Sequence, residues 1–146
     1  MPVQNPSPPS GGHVFLLAPN YDSAPQGTWA VNVQTAFVTN TQIYNDGTDG
    51  DNLLYKVYLP RGTWTLIMYG QTGTNRGISD IDIDNVEIAS FDWYADPVVN
   101  IVRKSQTAIA IATSGLKTLR LRVDGKHASS TGYIIVFNYI ALWRTA

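Results

Sequence analysis

Acidic side chains are the groups in this sequence that come closest to a pattern able to do chemistry. A glycosidase needs two carboxyl groups across a cleft, and the eleven Asp and Glu residues include no such pair that spacing alone identifies. Asp80, Asp82 and Asp84 alternate along one predicted strand, so their side chains share a face and repel one another unless they are solvated, paired or bridging a cation. We favour solvation or pairing with Arg120 and Arg122, which alternate in the same way.

A second acidic group lies in the segment "NDGTDGDN", residues 45–52, which places Asp46, Asp49 and Asp51 around two glycines. Oxygen ligands on a flexible loop suit calcium, but the spacing is not the twelve-residue EF-hand pattern and lacks its closing Glu. A polar turn is therefore the favoured interpretation, with calcium as the alternative, and the sequence predicts no metal site.

Nucleophilic catalysis has little support in the sequence. Neither His13 nor His127 stands in a pattern with a nucleophile and an acid, so a Ser-His-Asp site is not expected. The sequence has no cysteine, which excludes disulfides, thiolate catalysis and cysteine-ligated zinc or iron–sulfur sites. We expect a protein that is not an enzyme and needs no cofactor.

The segment "SFDWYADP" offers a candidate sugar-binding group. It places Trp93 and Tyr94 directly after Asp92, and planar aromatic rings beside a carboxylate can stack on and hydrogen-bond a sugar ring. Packing in the core explains the same residues, because Trp and Tyr bury large areas and have one polar atom to satisfy. We weigh packing ahead of sugar binding.

These groups are held by a chain that is predicted to be all-β. Runs rich in Val, Ile, Thr, Tyr and Trp recur between turn signals, and helical periodicity is hard to find. The pattern predicts ten strands in an antiparallel jelly-roll or β-sandwich. They are placed near His13–Ala18, Trp29–Val38, Leu53–Leu59, Thr63–Tyr69, Ile78–Asp84, Val86–Phe91, Val98–Arg103, Thr107–Ala112, Thr118–Asp124 and Tyr133–Trp143.

The final predicted strand is apolar on both of its faces. Strict alternation places Tyr133, Phe137, Tyr139 and Trp143 on one side and Ile134, Val136, Ile140 and Leu142 on the other. One face can fill the core, and something else must cover the second face. Either copies of the same chain around a symmetry axis or another segment of this chain would do so.

The opening segment "MPVQNPSPPSGG" is predicted to be an extended arm, residues 1–12, ahead of a single domain at residues 13–146. Prolines exclude a helix or a central strand there. We expect the arm to dock on a partner through Pro2, Val3, Pro6, Pro8 and Pro9.

Charge and hydropathy exclude several classes of partner. The net charge of −1 gives no basic field for nucleic acid and no polybasic patch for a membrane. No apolar stretch is long enough to span a membrane, and no secretion signal is evident, so a soluble protein is expected. Charged residues make up only 14% of the chain, which hints at a surface that lies against another surface.

From about Leu53 to Ala146 the sequence resembles the jelly-roll modules that recur in tailed-bacteriophage virion proteins. The similarity lies in "GTWTL", the "DIDIDN" hairpin, "TLRLRV", the "DGKHASSTGY" loop and the closing "IALWRT". The resemblance implies a β-sandwich presented as a homotrimer on a virion, without enzymatic activity. The same architecture also appears in carbohydrate-binding modules.

The function expected from this resemblance is that of a capsid decoration (cement) protein. It would be made in the host cytoplasm and would bind the major capsid protein on the capsid exterior as a homotrimer. Its trimer interface would use Tyr133, Phe137, Tyr139 and Trp143. The alternative is a glycan-binding or receptor-binding tip of a head or tail fibre, which would use Asp92, Trp93 and Tyr94.

Overall fold

A computed structural model describes residues 12–33 and 41–146, and in these ranges the chain is all-β. The docking residues predicted in the arm, Pro2 to Pro9, lie outside the described residues. No helix long and apolar enough to cross a membrane occurs in the described ranges. The strands are β1 His13–Leu17, β2 Ser23–Gln26, β3 Trp29–Val33, β4 Thr41–Asn45, β5 Asn52–Leu59, β6 Gly62–Thr72, β7 Gly77–Ile83, β8 Val86–Asp92, β9 Val99–Ile111, β10 Gly115–Lys126 and β11 Val136–Arg144.

The strands form two antiparallel sheets packed as a sandwich, which confirms the predicted fold class. Sheet A has the order β3-β4-β11-β6-β9, and β1 also pairs with β11, on the edge opposite β6. Sheet B has the order β2-β5-β10-β7-β8. In both sheets a strand from the end of the sequence, β10 or β11, lies in the middle, so the fold depends on pairings between distant segments.

The core lies between the two sheets and is built by strand alternation. Sheet B contributes fully buried Leu53, Leu119 and Leu121, and sheet A contributes fully buried Met68 and Ile140. Burial of a side chain of this size contributes about 1.5–3 kcal/mol relative to exposure. A core of this extent holds the sandwich together without disulfides, which the sequence cannot form.

A β-bulge in β11 changes which side chains share a face. The register with β6 shifts between Phe137 and Tyr139, so Asn138 is an extra residue that reverses the alternation. Phe137 therefore faces the core, where it is fully buried and meets Trp29 edge to face at a centroid distance of 6.5 Å. This corrects the prediction that Phe137 lies on the same outer face as Tyr139 and Trp143.

Two strand predictions differ from the structure along sheet A. The predicted strands Val98–Arg103 and Thr107–Ala112 are one strand, β9, which pairs along the whole of β6. Ala108 has a positive φ of 57° and lies where the register with β6 shifts, so the chain bulges there and does not turn. Two short strands, β4 of sheet A and β2 of sheet B, were not predicted from the sequence.

Candidate functional site

The outer face of sheet A carries a group of aromatic side chains that alternation directs away from the core. Leu66, Met68, Ile140 and Leu142 are fully buried inside, so the residues between them face outward. We call this surface the aromatic face, and its aromatic members are Phe15, Tyr69, Tyr139 and Trp143. Phe15 is 51% exposed, and the two tyrosines and Trp143 are half-buried.

Three of these rings stack across neighbouring strands. The centroid of Tyr139 lies 4.4 Å from that of Phe15 on β1 and 4.8 Å from that of Tyr69 on β6. Tyr139 is thus enclosed on both sides, whereas Phe15, on the outermost strand of the three, has only one neighbour in this stack. Partial burial raises the pKa of Tyr139, the adjacent Tyr69 raises it further, and the positive charge of Arg103 opposes the shift.

Polar and cationic groups border the aromatic face on the side of β6 and β9. Arg103 pairs with Tyr69 in the strand register and is exposed. Gln71 Nε2 donates a hydrogen bond of 2.6 Å to Asn100 Oδ1, and Gln71 Oε1 accepts one from Arg76. These amide and guanidinium groups are suited to bind hydroxyl and carboxylate oxygens beside an apolar ring surface.

Arg76 is a buried cation without a carboxylate partner among the described residues. Its Nη atoms donate to Asn75 Oδ1 and Gln71 Oε1, and its Nε has no hydrogen-bond partner. Burial lowers the pKa of this guanidinium from its ordinary value, because the charged form loses hydration. The two neighbouring amides accept hydrogen bonds from the Nη atoms without neutralising the charge.

The outer face of sheet B differs in kind, because it is covered by ion pairs. Asp82 Oδ2 accepts hydrogen bonds from Arg120 Nη2 at 2.5 Å and from Arg120 Nε at 2.8 Å. Arg122 Nη2 lies 3.1 Å from Asp80 Oδ2. The predicted pairing with the two arginines is confirmed for Asp80 and Asp82, whose carboxylates are almost fully buried. Asp84 is instead half exposed and lies near Lys117.

The predicted sugar-binding segment divides between core and surface. Trp93 is fully buried, its indole N–H donates a 2.9 Å hydrogen bond to Ser79 Oγ, and its ring packs against Gly70, where a Cβ would lie 2.9 Å from the ring. Asp92 Oδ1 accepts a hydrogen bond from the Tyr94 backbone N–H at 2.9 Å. The structure therefore places Trp93 in a packing role and leaves only Tyr94 near a ligand-accessible surface.

Tyr94 belongs to a second, smaller aromatic group in the loops at one end of the sandwich. Its ring stacks on exposed His127 with centroids 4.5 Å apart and planes inclined by 6°. Nearby in the sequence, Lys126 Nζ lies 4.9 Å from the centroid of Tyr133, the remaining predicted trimer-interface residue. Tyr133 is half-buried and packs against the core, in the loop before β11, so it belongs to a different surface from Tyr139 and Trp143.

The turn at residues 45–52 uses its carboxylates within the fold. Asp51, almost fully buried, accepts hydrogen bonds from Asn45 Nδ2 at 2.9 Å and from the Thr48 backbone N–H at 3.1 Å. Asp49 accepts one from the Gly125 backbone N–H at 2.8 Å. Among the described residues, no group of three or more His, Cys, Asp or Glu could hold a metal ion. These contacts make the segment a structural turn.

Sequence reasoning missed two members of the aromatic face and the buried cation beside it. Phe15 and Tyr69 lie in ordinary apolar runs, and their stacking on Tyr139 depends on the pairing of β1 and β6 with β11. A usable signal was that Tyr69 alternates with Leu66 and Met68, which gives it the opposite face. Nothing in the sequence around Arg76 indicates that its guanidinium is buried.

The fold is shared with polysaccharide-related proteins of known structure. A Paenibacillus xanthan lyase matches with a TM-score of 0.77 at 17% identity over 97% of this chain, which spans 14% of that enzyme. A CBM36 domain of a multidomain xylanase from the hindgut metagenome of Trinervitermes trinervoides matches with a TM-score of 0.70 at 14% identity, covering 90% of this chain and 96% of that domain. A CBM6 module from Clostridium stercorarium in complex with cellobiose matches with a TM-score of 0.63 at 14% identity, covering 87% and 90%.

In sequence, no protein-family model and no curated protein matches the chain. The structural neighbours correct the resemblance drawn above, because they are carbohydrate-binding modules and not virion jelly-roll proteins. The "GTWTL" and "TLRLRV" stretches lie in β6 and β10 and have the alternation of ordinary sandwich strands. They therefore did not distinguish virion jelly-roll proteins from carbohydrate-binding modules. The expectation of a phage capsid decoration protein is therefore wrong, whereas the expected homotrimer stays a prediction.

Proposed function

We propose that this chain is a carbohydrate-binding domain that holds a glycan on its aromatic face. The observation that carries the proposal is the stack of Phe15, Tyr139 and Tyr69 on the open side of sheet A. An accessible aromatic group with convergent polar side chains is what a small-molecule or glycan site requires.

The chemistry of the face matches that of a sugar. The axial C–H groups of a pyranose carry partial positive charge and favour the negative face of an aromatic ring. Phe15 supplies a ring that is half exposed. The hydroxyl groups of Tyr69 and Tyr139 and the amides of Gln71 and Asn100 lie where they can exchange hydrogen bonds with sugar hydroxyls.

The shared fold supports this proposal. Two of the neighbouring modules were solved with cellobiose and with calcium and xylotriose, so the fold accommodates sugar ligands in those proteins. Fold alone does not define function, and the proposal therefore depends on the side chains of the aromatic face.

The proposed activity is binding without catalysis. The strands of sheet A contain no Asp or Glu, so an acid pair of the kind that cleaves a glycosidic bond is not part of this face. On the opposite sheet, Asp80 and Asp82 are held by Arg122 and Arg120.

Affinity electrophoresis through gels that contain soluble plant and bacterial polysaccharides tests the proposal, followed by calorimetry on any polymer that retards the chain. Phe15→Ala and Tyr139→Ala should each weaken binding about tenfold or more, as expected for aromatic residues at the centre of a binding site.

Tyr58→Ala is the matched control, because Tyr58 is an equally exposed aromatic residue, at 49%, on β5 of sheet B. It should bind like the unmodified chain. Tyr94→Ala separates the two aromatic groups: loss of binding in this variant alone would move the site to the loop that contains His127. If the unmodified chain is retarded by none of the polymers, the proposal is wrong.

A further inference from the structure

Charge is distributed unevenly between the two sheets. The strands of sheet A contain no Asp or Glu, whereas the strands of sheet B contain five, and Arg120 and Arg122 of sheet B pair with Asp82 and Asp80. Sheet A carries Arg103 beside the aromatic stack, and Arg76 lies next to Gln71 at the end of β6. The aromatic face is therefore bordered by cations that no carboxylate of the described chain neutralises.

Of the two cations, Arg76 has the environment that says more about the charge of a ligand. A buried charge is costly unless an opposite charge accompanies it, and proteins with buried arginines ordinarily supply a carboxylate. Arg76 is only 8% exposed, donates to two neutral amides and keeps an unpartnered Nε. A ligand that brings its own negative charge would complete this arrangement.

The second cation is placed to act on the same ligand. Arg103 is directly opposite Tyr69 in the register, and Tyr69 and Gln71 are two residues apart on β6, hence neighbours on one face of the sheet. A chain of sugars that crosses the strands from Phe15 over Tyr139 to Tyr69 would reach Arg103. Gln71 and its partner Arg76 lie beside Tyr69 at the end of β6. Planar guanidinium groups bind carboxylate and sulfate oxygens in a two-pronged geometry that neutral hydroxyls do not match.

We propose that the aromatic face selects an acidic polysaccharide, whose carboxylate or sulfate groups are bound by Arg103 and Arg76 while its sugar rings contact the aromatic stack. This inference rests on the proposed function and adds the class of glycan. The net charge of −1 gives the whole chain no general attraction for polyanions, so a preference of this kind requires a local site.

The test compares polymers that share a backbone and differ only in charge. Calorimetry at fixed ionic strength is carried out with polygalacturonate and with the same polymer after reduction of its carboxyl groups, and in parallel with dextran sulfate and dextran. We expect at least one acidic polymer to bind about tenfold more tightly than its neutral counterpart. Tighter binding of polygalacturonate than of its reduced form would show that the site binds carboxylate groups. Tighter binding of dextran sulfate than of dextran would show that it binds sulfate groups.

Variants assign the preference to the site. Arg103→Gln should remove most of the preference, with a smaller loss of affinity for the neutral polymer, and it should not disturb folding because Arg103 is exposed. Arg76→Gln should do the same if it folds. Arg61→Gln is the control, because Arg61 is an exposed arginine at the other end of β6, in the turn before Gly62.

Three outcomes count against the inference. Equal affinity for the acidic and neutral polymers would overturn it while leaving the proposed function intact. Equal losses in Arg103→Gln and Arg61→Gln would show general attraction in place of a site. Binding to neither member of either pair, in a chain that no polysaccharide retards, would remove the proposed function and this inference with it.

Discussion

The ring of Phe15 on β1 lies 4.4 Å from the ring of Tyr139 on β11, yet Phe15 remains 51% exposed. An aromatic side chain in this position adds little to folding, because half of its surface stays in water. We predict that Phe15→Ala lowers the free energy of unfolding by about 1 kcal/mol, the energy of one partly exposed aromatic pair. Chemical denaturation of the two proteins measures the difference.

Phe137→Ala is the comparison, because Phe137 is fully buried on β11, where the bulge at Asn138 separates it from Tyr139. It should cost about 3–5 kcal/mol, the usual range for removal of a buried aromatic ring. Equal losses in the two variants would mean that Phe15 is structural, and the aromatic face would lose its claim to be a binding surface.

The last strand illustrates what the sequence could and could not predict. Its apolar residues correctly indicated a strand with one side in the core. Strict alternation then assigned Phe137 to the outer face, because an extra residue such as Asn138 leaves no mark in a pattern of apolar residues. The fold class can be predicted from composition and alternation. Which side chains of β11 face outward depends on a bulge that arises from the pairing with β6.

Trp93 gives a prediction that separates packing from sugar binding. Its indole is fully buried and donates to Ser79 Oγ at 2.9 Å. Trp93→Ala should therefore destabilise the fold by about 3–5 kcal/mol, by loss of a buried ring. Ser79→Ala should cost about 1–3 kcal/mol, since it leaves the indole N–H without an acceptor. A Trp93→Ala variant that unfolds like the unmodified chain but no longer binds glycans would restore the sugar-binding interpretation.

The candidate site was less predictable than the fold, for a physical reason. The segment with Asp92, Trp93 and Tyr94 is contiguous in sequence, so it suggested a site, but alternation along β8 and the loop after it directs Trp93 into the core. The aromatic face is assembled from three strands that are far apart in the chain. Phe15, Tyr69 and Tyr139 come together only through the pairing of β1 and β6 with β11. The register of this pairing could not be predicted from the sequence alone.

Asp82 in β7 and Asp84 in the turn after it differ in burial, and their substitutions should differ accordingly. The side chain of Asp82 is 2% exposed, and its Oδ2 lies 2.5 Å from Arg120 Nη2. The side chain of Asp84 is 51% exposed, and its Oδ2 lies 3.8 Å from Lys117 Nζ. Asp82→Asn should lower the free energy of unfolding by roughly 2–3 kcal/mol, because it breaks ion pairs at a buried carboxylate and leaves the half-buried guanidinium groups of Arg120 and Arg122 without this counter-ion. Asp84→Asn should lower the free energy of unfolding by less than about 1 kcal/mol, because an exposed ion pair contributes little to stability. Urea denaturation distinguishes the two, and equal effects would contradict this account of the ion pairs.

Asp80 should make the stability of the protein depend on pH in an unusual direction. The pKa of Asp80 is raised to about 6, chiefly by burial; the neighbouring Asp124 and Glu87 also raise it, and a hydrogen bond with Ser90 lowers it. Arg122 offsets this only in part, because it is shared with Asp82, Glu87 and Asp124. Between pH 4 and pH 6 the folded chain keeps a proton on this carboxyl group that the unfolded chain has released. The contribution of Asp80 to stability is therefore largest near pH 4 and is lost as the pH rises through 6.

The variant Asp80→Asn isolates this effect, because an amide stays neutral throughout the range. Relative to the variant, the unmodified protein should lose on the order of 2 kcal/mol of unfolding free energy between pH 4 and pH 7. Urea denaturation at several pH values measures the difference, and the chemical shift of the Asp80 carboxyl carbon reports the titration directly. Parallel curves for the two proteins would show that Arg122 keeps this carboxylate ionised, and the buried charge network of sheet B would then be fully paired at all of these pH values.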